Sequence, residues 1–492
     1  MSQALSSTVI LGGGFVGLFT ALHLSHQNYP HAVVLIDRRR HFNFKPLLYE
    51  LLSGEMHCEQ VCPAYEELLQ GSNVSFVQDG VRSIDLPNRR AILDSGKIYY
   101  YSNLVLALGG KTTYFDIPGA AAHALPFTSA DEAIALSHRI KANLNRAAQS
   151  NDDDERQQLL TVAIVGAGPA GVELACTLAD LMPIWCREAG ISPDPARVVL
   201  MNRSDEILKG DINSRLRDTA KSALQSRALP VELILNASVT GISANGVEYR
   251  QQDRMNFLAT GAIAWTAGTE PPALLKDLPV APEHRDKRGR LQVTPTLQLL
   301  DFPEVFVGGD CAFIADNPQP ATAQAAYQQG TAIADNLKAL ARGNMPAPAK
   351  ITMRGTLMKL GLGEGVANIF DRIEVKGKPG HLIREATYLE LLPTPTRNLK
   401  VTAEWLTDEI FHRHQPHLAI PEDELGIEIE ADPDAQKRGG VWAGVMAIAA
   451  GLILALPLTL RAANPQQFQQ SWGWSGLPVL LDRLAPPLPP KS

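Results

Sequence analysis

Cysteine is scarce in this chain of 492 residues, and its five copies, Cys58, Cys62, Cys176, Cys186 and Cys311, are scattered. A disulfide framework or an iron–sulfur cluster needs clustered thiols, so both are excluded and a reducing compartment is expected. Positive charge is also short. Against 52 aspartates and glutamates stand 45 lysines and arginines, the formal net charge is −7, and no long basic run occurs. That balance excludes a nucleic-acid footprint. No cleavable leader is expected, because an apolar strand pattern begins within about ten residues of Met1. The acidic stretch Asn151–Glu155 lacks the carboxylate and glycine spacing of a calcium loop and reads as an exposed linker, and no metal-ligand set is read elsewhere. What remains is an ordinary globular composition, 45% hydrophobic and 20% charged. Wholesale disorder is excluded, and the length allows about three domains.

Glycine, by contrast, falls in a pattern. Gly12-Gly13-Gly14-Phe15-Val16-Gly17 and Gly166-Ala167-Gly168-Pro169-Ala170-Gly171 each follow an apolar run, Thr8–Leu11 and Thr161–Val165, and open a helix-like one, Leu18–Leu24 and Val172–Leu181. In a strand–turn–helix setting the first glycine of GxGxxG allows the turn. The second lets the backbone approach a pyrophosphate, and the third lets the helix pack closely on the strand. The helix N-terminus then offers unpaired N–H groups and the positive end of its dipole to phosphates. One copy alone is a common glycine turn; two imply two nucleotide cofactors. Asp37 follows the second strand of the first unit, Ala32–Ile36, and stands twenty residues beyond Gly17, where a carboxylate accepts from a ribose. Farther on, Glu304–Cys311 reads as a buried strand ending at Gly308, Gly309 and Asp310.

Near the other end Val441–Leu460 runs twenty residues without a charge, bounded by Lys437 and Arg438 before and Arg461 after. As a helix it would span about 30 Å, the thickness of a bilayer core. Trp442, Trp472 and Trp474 suit an interface. The segment is therefore expected to cross a membrane, tethered by the acidic, proline-bearing residues 421–440. A helical stretch is read around Ala403–His414, and the tail 461–492 is read as disordered or interfacial.

Five further stretches carry a family likeness: FKPLLYELLSGE (Phe44–Glu55); the hinge-like strands LVLALGG (Leu104–Gly110) and AWTAGTEP (Ala264–Pro271); VFVGGDCA (Val305–Ala312); and AQAAYQQG (Ala323–Gly330). With the two fingerprints they resemble the flavoproteins with two dinucleotide-binding domains, and among these the type II, single-subunit NAD(P)H:quinone oxidoreductases; the cysteine-poor, alanine- and proline-rich sequence and the stretch GTLMKLGLGE (Gly355–Glu364) look most like their cyanobacterial branch. The resemblance covers about Thr8–His414. It implies an α/β fold with two Rossmann-like domains, glutathione-reductase-like, plus a C-terminal membrane-anchoring region. The implied division is 1–128 for the first part of the FAD domain, 129–293 for the NAD(P)H domain and 294–345 for the second part of the FAD domain. Residues 346–420 then form a C-terminal domain near the quinone site, followed by the tether, the membrane helix and the tail.

The resemblance also assigns roles. FAD would be held by Gly12, Gly14, Phe15, Val16, Gly17, Asp37 and Arg38, with Gly109 where the chain crosses the cofactor and Gly309 and Asp310 at the ribityl chain. NADH or NADPH would be seated by Gly166, Gly168, Gly171 and Gly268. Glu173 matches a carboxylate placed near the nicotinamide and the flavin, with a role in proton delivery or placement; a carboxylate merely favoured by the helix N-terminus is the alternative. Ala323, Gln324 and Gln328 fall on the AQxAxQ pattern beside flavin and quinone. Four residues apart, the two glutamines share a helix face, and their amides can meet a quinone carbonyl.

One departure bears on the electron donor. The family's NADH-selective members carry an acid where Asn202 stands, and Arg203 follows. An amide does not repel a 2'-phosphate and an arginine can pair with it, so NADPH becomes usable, unless Asp205 or Glu206 supplies the missing acid.

The implied partners are a quinone of the plastoquinone or menaquinone/phylloquinone type, membrane lipid and a second copy of the chain in a homodimer. The catalytic body is expected on the cytoplasmic side of a membrane. Two other readings stay open. Cys58 and Cys62 fall roughly where pyridine-nucleotide disulfide reductases keep a redox pair, though CxxxC is not their spacing. A membrane-tethered flavin or NAD(P)H redox sensor would need the same fold but no second-substrate surface.

Overall fold

The apolar run near the N-terminus becomes an interior strand of a sheet buried on both faces, which is why it shows no polar alternation. In the computed structural model, which describes residues 7–25, 29–210, 212–370 and 372–391, strand Ser7–Leu11 lies parallel between Ala32–Asp37 and Asn103–Leu106. Val9 pairs with Val34 on one side and Leu104 on the other, and all three residues Val9–Leu11 have no exposed surface. Val74–Gln78 extends the sheet beyond Ala32–Asp37, and Phe302–Val307 extends it beyond Asn103–Leu106, within eight strands in all. Strands separated by about 200 residues thus meet side by side.

Thr161–Val165 repeats this arrangement in a five-stranded parallel sheet, between Arg197–Met201 and Ala262–Trp265. Ala163, Val165, Val199, Met201, Ile263 and Trp265 form its core. Two short antiparallel strands, Lys111–Thr112 and Thr269–Glu270, pair where the chain leaves the first sheet and returns. The second sheet already takes in Leu125–Pro126, and the first takes in Leu291–Val293.

After the helix Ala323–Ala341 come three antiparallel strands, Gly355–Gly361, Glu364–Ile369 and Ile373–Lys376, and the helix Gly377–Glu390. The mixed pattern in this region did not disclose that helix. Asn151–Glu155 is not an exposed loop throughout. Asp152 caps a helix, Asp153–Leu159, accepting from the amides of Asp154 and Glu155 at 2.9 and 3.1 Å. Its acidic first turn is favoured by the helix dipole, the reason that charge run folds. No helix among the described residues is long and apolar enough to cross a membrane. The run Val441–Leu460, the tether, the tail and the stretch Ala403–His414 lie outside the described residues.

Candidate functional site

Both fingerprints fold as their spacing demands. Gly12 and Gly166 have φ of +98° and +110°, a region closed to most side chains, and a Cβ on Gly12 would stand 2.3 Å from the Ala107 carbonyl oxygen. Gly17 and Gly171 let helices Phe15–Ser25 and Pro169–Glu188 approach their strands. A Cβ at either would lie 1.8 Å from the carbonyl oxygen of Gly12 or Gly166. Gly14 and Gly168 have nothing within 4 Å of where a Cβ would be. Each turn therefore offers an open space at a helix start, the cradle a pyrophosphate fits.

The two turns are held by analogous contacts. Asp37 accepts from the Gly13 amide at 2.6 Å and the Arg39 amide at 2.8 Å, while the buried Tyr65 hydroxyl donates to the Gly13 carbonyl at 2.8 Å. Arg38 beside it is exposed. In the second unit Asn202 occupies the place of Asp37, its Oδ1 3.5 Å from the Ala167 amide and its Nδ2 donating to the Glu206 carbonyl at 2.7 Å. The Leu208 amide holds the Ala167 carbonyl at 2.7 Å. Neither nearby acid is free: Glu206 pairs with Arg217 at 2.9 Å and Asp205 with Lys209 at 3.2 Å. Arg203 is exposed. The amide of Asn202 is thus turned inward.

Gly308 and Gly309 fold over the first fingerprint, where Cβ atoms on them would meet the Val16 methyls at 3.0 and 3.2 Å. Asp310 comes close to Gly110, and the Gly109 carbonyl accepts from the buried Cys311 thiol at 3.1 Å. The helix Ala323–Ala341 crosses the first cofactor helix, with Gly330 against the Val16 carbonyl and Tyr327 edge-on to Phe19. The structure thus brings Phe15–Gly17, Asp37, Gly309, Asp310 and the start of the glutamine helix together. Gln328, however, spends its amide on the Thr352 backbone, donating to the carbonyl at 3.0 Å and accepting from the amide at 2.9 Å. Gln329, which sequence reasoning missed, reaches the glycine pair by accepting from the Gly309 amide at 2.6 Å. Its neighbour Gly330, fit for a close helix crossing, was the available sign that this face turns inward.

Glu173 lies in the helix that opens at the second fingerprint. Its carboxylate accepts from the Lys359 amide at 2.8 Å, is hydrogen-bonded by Tyr49, and stands 3.9 Å from Arg384. Burial pushes its pKa up to about 7, only partly offset by Arg384, the Lys359 amide and Tyr49. Glu50, also buried, behaves oppositely. Burial raises it, but Arg384 at 2.5 Å and the Lys359 ammonium at 3.2 Å bring it down to about 2. Glu55 is the other carboxylate on Lys359. Glu50, Lys359 and Arg384 side chains have no exposed surface. This ionic cluster joins the helix Leu48–Ser53, the strand Gly355–Gly361 and the helix Gly377–Glu390.

Cys58 is exposed and Cys62 buried, and both thiols are free. Cys58 opens and Cys62 caps one helical turn, Cys58–Val61, with the Cys62 amide donating to the Cys58 carbonyl at 2.7 Å.

Residues 6–330 match the family model described as pyridine nucleotide-disulphide oxidoreductase. Over 418 residues the chain is 32% identical to demethylphylloquinone reductase NdbB of Synechocystis, covering 83% of this chain and 97% of that protein. It is also 32% identical to the type II NADH:quinone oxidoreductase Ndh of Mycobacterium tuberculosis, over 73% of this chain and 79% of the relative. Among solved structures it is similar in fold to NDH2 of Plasmodium falciparum in complex with NADH, with a TM-score of 0.73 at 19% identity, covering 82% of this chain and 98% of that one.

Proposed function

Because the chain belongs to the pyridine nucleotide-disulphide oxidoreductase family, and within it to the type II NADH:quinone oxidoreductases, we propose that it is an FAD-dependent NAD(P)H:quinone oxidoreductase that moves no ions. The observation that carries this reading is the pair of open glycine cradles, Gly12–Gly17 and Gly166–Gly171, in one chain with the Gly309–Asp310 turn folded over the first. We assign the first cradle, with Asp37, Arg38, Gly109 and Asp310, to FAD and the second, with Gly268, Asn202 and Arg203, to the reduced nicotinamide nucleotide. The domain division expected from the sequence belongs to the same reading.

FAD bound there supplies the two-electron acceptor that links nicotinamide and quinone. The protein's own task is positioning: two rigid cradles hold the reactants in register, and a dry interior strengthens every polar contact made there. Gln329 sets the Gly309 amide, and Gln328 ties the glutamine helix to Thr352, leaving Gln324 as the amide assigned to the quinone. Glu173 holds a proton up to about pH 7. On the quinone step that proton is available at low pH and gone above. Turnover with a short-chain quinone should therefore fall as pH rises through about 7. In Glu173→Gln this inflection should vanish and turnover at pH 6 should drop about a hundredfold, the low end of what a positioned acid contributes. An inflection that survives the substitution would remove Glu173 from the proton step. The same shift gives Glu173 a contribution to folding stability that is complete below the ordinary carboxylate value and is lost as pH rises through about 7.

For the donor, we assign NADPH competence to the missing charge at Asn202 and to Arg203. Asn202→Glu should move the ratio of kcat/KM values toward NADH by about tenfold or more, through repulsion of the 2'-phosphate. Unchanged kinetics with NADPH would contradict the assignment. The Synechocystis relative acts, by name, on demethylphylloquinone, so a naphthoquinone is the acceptor class we favour. Comparing menadione with a short-chain plastoquinone analogue checks this. The anchor belongs to the same proposal: Val441–Leu460 would hold the body at the cytoplasmic face, letting a lipid-soluble quinone enter from the bilayer. A single spanning helix could not enclose a proton path, which is why we propose no pumping. NADH oxidation that needs both retained FAD and added quinone is the test of the whole; oxidation independent of quinone would favour the sensor reading.

A further inference from the structure

Two consecutive non-glycine residues in the left-handed region occur at two places among the described residues, Gln252–Asp253 and Phe115–Asp116. The first pair closes the hairpin between Gly246–Gln251 and Arg254–Ala259, where a turn of this hand matches the twist of the strands. The second closes no hairpin. Phe115 and Asp116, with φ of 52° and 54°, form a turn sealed by the Ile117 amide donating to the Tyr114 carbonyl at 3.0 Å. Such a turn favours Asn-Gly, and a phenylalanine there is strained. Burial does not offset the strain, since Phe115 is 59% exposed.

What the strain does fix is the direction of the ring. The flanking residues Tyr114 and Ile117 pack on the core of the second sheet, and the Trp265 ring nitrogen ties down the Thr113 carbonyl at 3.0 Å. Phe115 is left turned outward over Gly268, whose missing Cβ would stand 2.3 Å from the ring edge. Gly268 in turn adjoins Ala267, whose amide lies 2.8 Å from where a Cβ on Gly166 would be. The ring therefore sits one residue away from the second fingerprint. It also sits past the end of Ala262–Trp265, which with Thr161–Val165 flanks the point where strand order reverses in that sheet. Ligands of doubly wound sheets bind in the crevice outside the strand ends at that point.

We propose that Phe115 is a binding residue for the reduced nicotinamide nucleotide, its ring forming the wall of the crevice against which the nicotinamide-ribose half packs. The inference rests on the reading that the second fingerprint seats NAD(P)H. It separates two properties that a packing residue would couple. Phe115→Asn gives the turn a residue it prefers, so the thermal midpoint should hold or rise. The dissociation constant for NAD+, measured by calorimetry on the full FAD-loaded chain, should nevertheless rise about three- to tenfold, while Phe115→Tyr stays within about twofold. Unchanged affinity in Phe115→Asn overturns the proposal. So does a lowered midpoint accompanying the loss, which would mark the ring as packing. If the wild-type chain itself binds neither NAD+ nor NADP+, the nucleotide reading fails and this proposal with it.

Discussion

Replacing Gly171 by valine is expected to leave FAD bound and its reduction by NADH slowed at least about a hundredfold, the cost of displacing reactants by about 1 Å. A Cβ there would lie 1.8 Å from the Gly166 carbonyl oxygen and 2.8 Å from the Thr266 hydroxyl, which itself donates to that carbonyl at 2.8 Å. Strand, turn and helix must separate to admit it, and the cradle opens. The matching change in the first unit, Gly17→Val, meets the Gly12 carbonyl at the same 1.8 Å and should instead yield protein without flavin. The check is the flavin-to-protein absorbance ratio followed by anaerobic NADH titration. Retained flavin in Gly17→Val, or undiminished reduction in Gly171→Val, would reverse the assignment of the cradles.

Glu50→Leu should cost about 3–5 kcal/mol of folding stability, because it strands two buried cations instead of removing a pair. Arg384 would lose its 2.5 Å carboxylate, and Lys359 would keep only Glu55. Denaturant unfolding of the full chain reads this directly. The pH dependence has a definite sign. The Glu50 carboxyl is held down to about 2 in the folded state, so its contribution is complete above the ordinary carboxylate pKa and is lost as pH falls through about 2. Wild-type stability should therefore fall in acid more steeply than that of Glu50→Leu. A variant within about 1 kcal/mol of wild type would mean the cluster is hydrated and the partners are not stranded.

These two predictions differ in how far the sequence already contained them. Gly17 and Gly171 were legible because a nucleotide turn is local. Three glycines at fixed spacing after an apolar run need only the chain's own geometry, and Asp37 follows at a fixed distance from the same unit. Glu50 was not legible. It meets Lys359 across 309 residues and Arg384 across 334, and nothing in LLYELLSGE marks one glutamate as buried against cations. Gln328 and Gln329 show the same limit on a smaller scale. Adjacent on one helix, they point about 100° apart, and only the crossing of Gly330 on Val16 decides which faces the glycine pair. Asn202 was singled out in the sequence as an absent charge. That its amide is spent on the Glu206 carbonyl could not be read, since it depends on how the loop after Met201 folds back. Phe115–Asp116 was hidden for the opposite reason: the residues give no hint of the left-handed turn they occupy.

The central claim, that one chain passes electrons from a nicotinamide nucleotide to a quinone through FAD, is tested most directly in a single anaerobic cuvette. Absorbance of the bound flavin is followed while NADH or NADPH is added, and then a short-chain naphthoquinone. The expected result is bleaching by the nucleotide and full recovery on addition of the quinone. Bleaching that persists after the quinone is added would contradict the account.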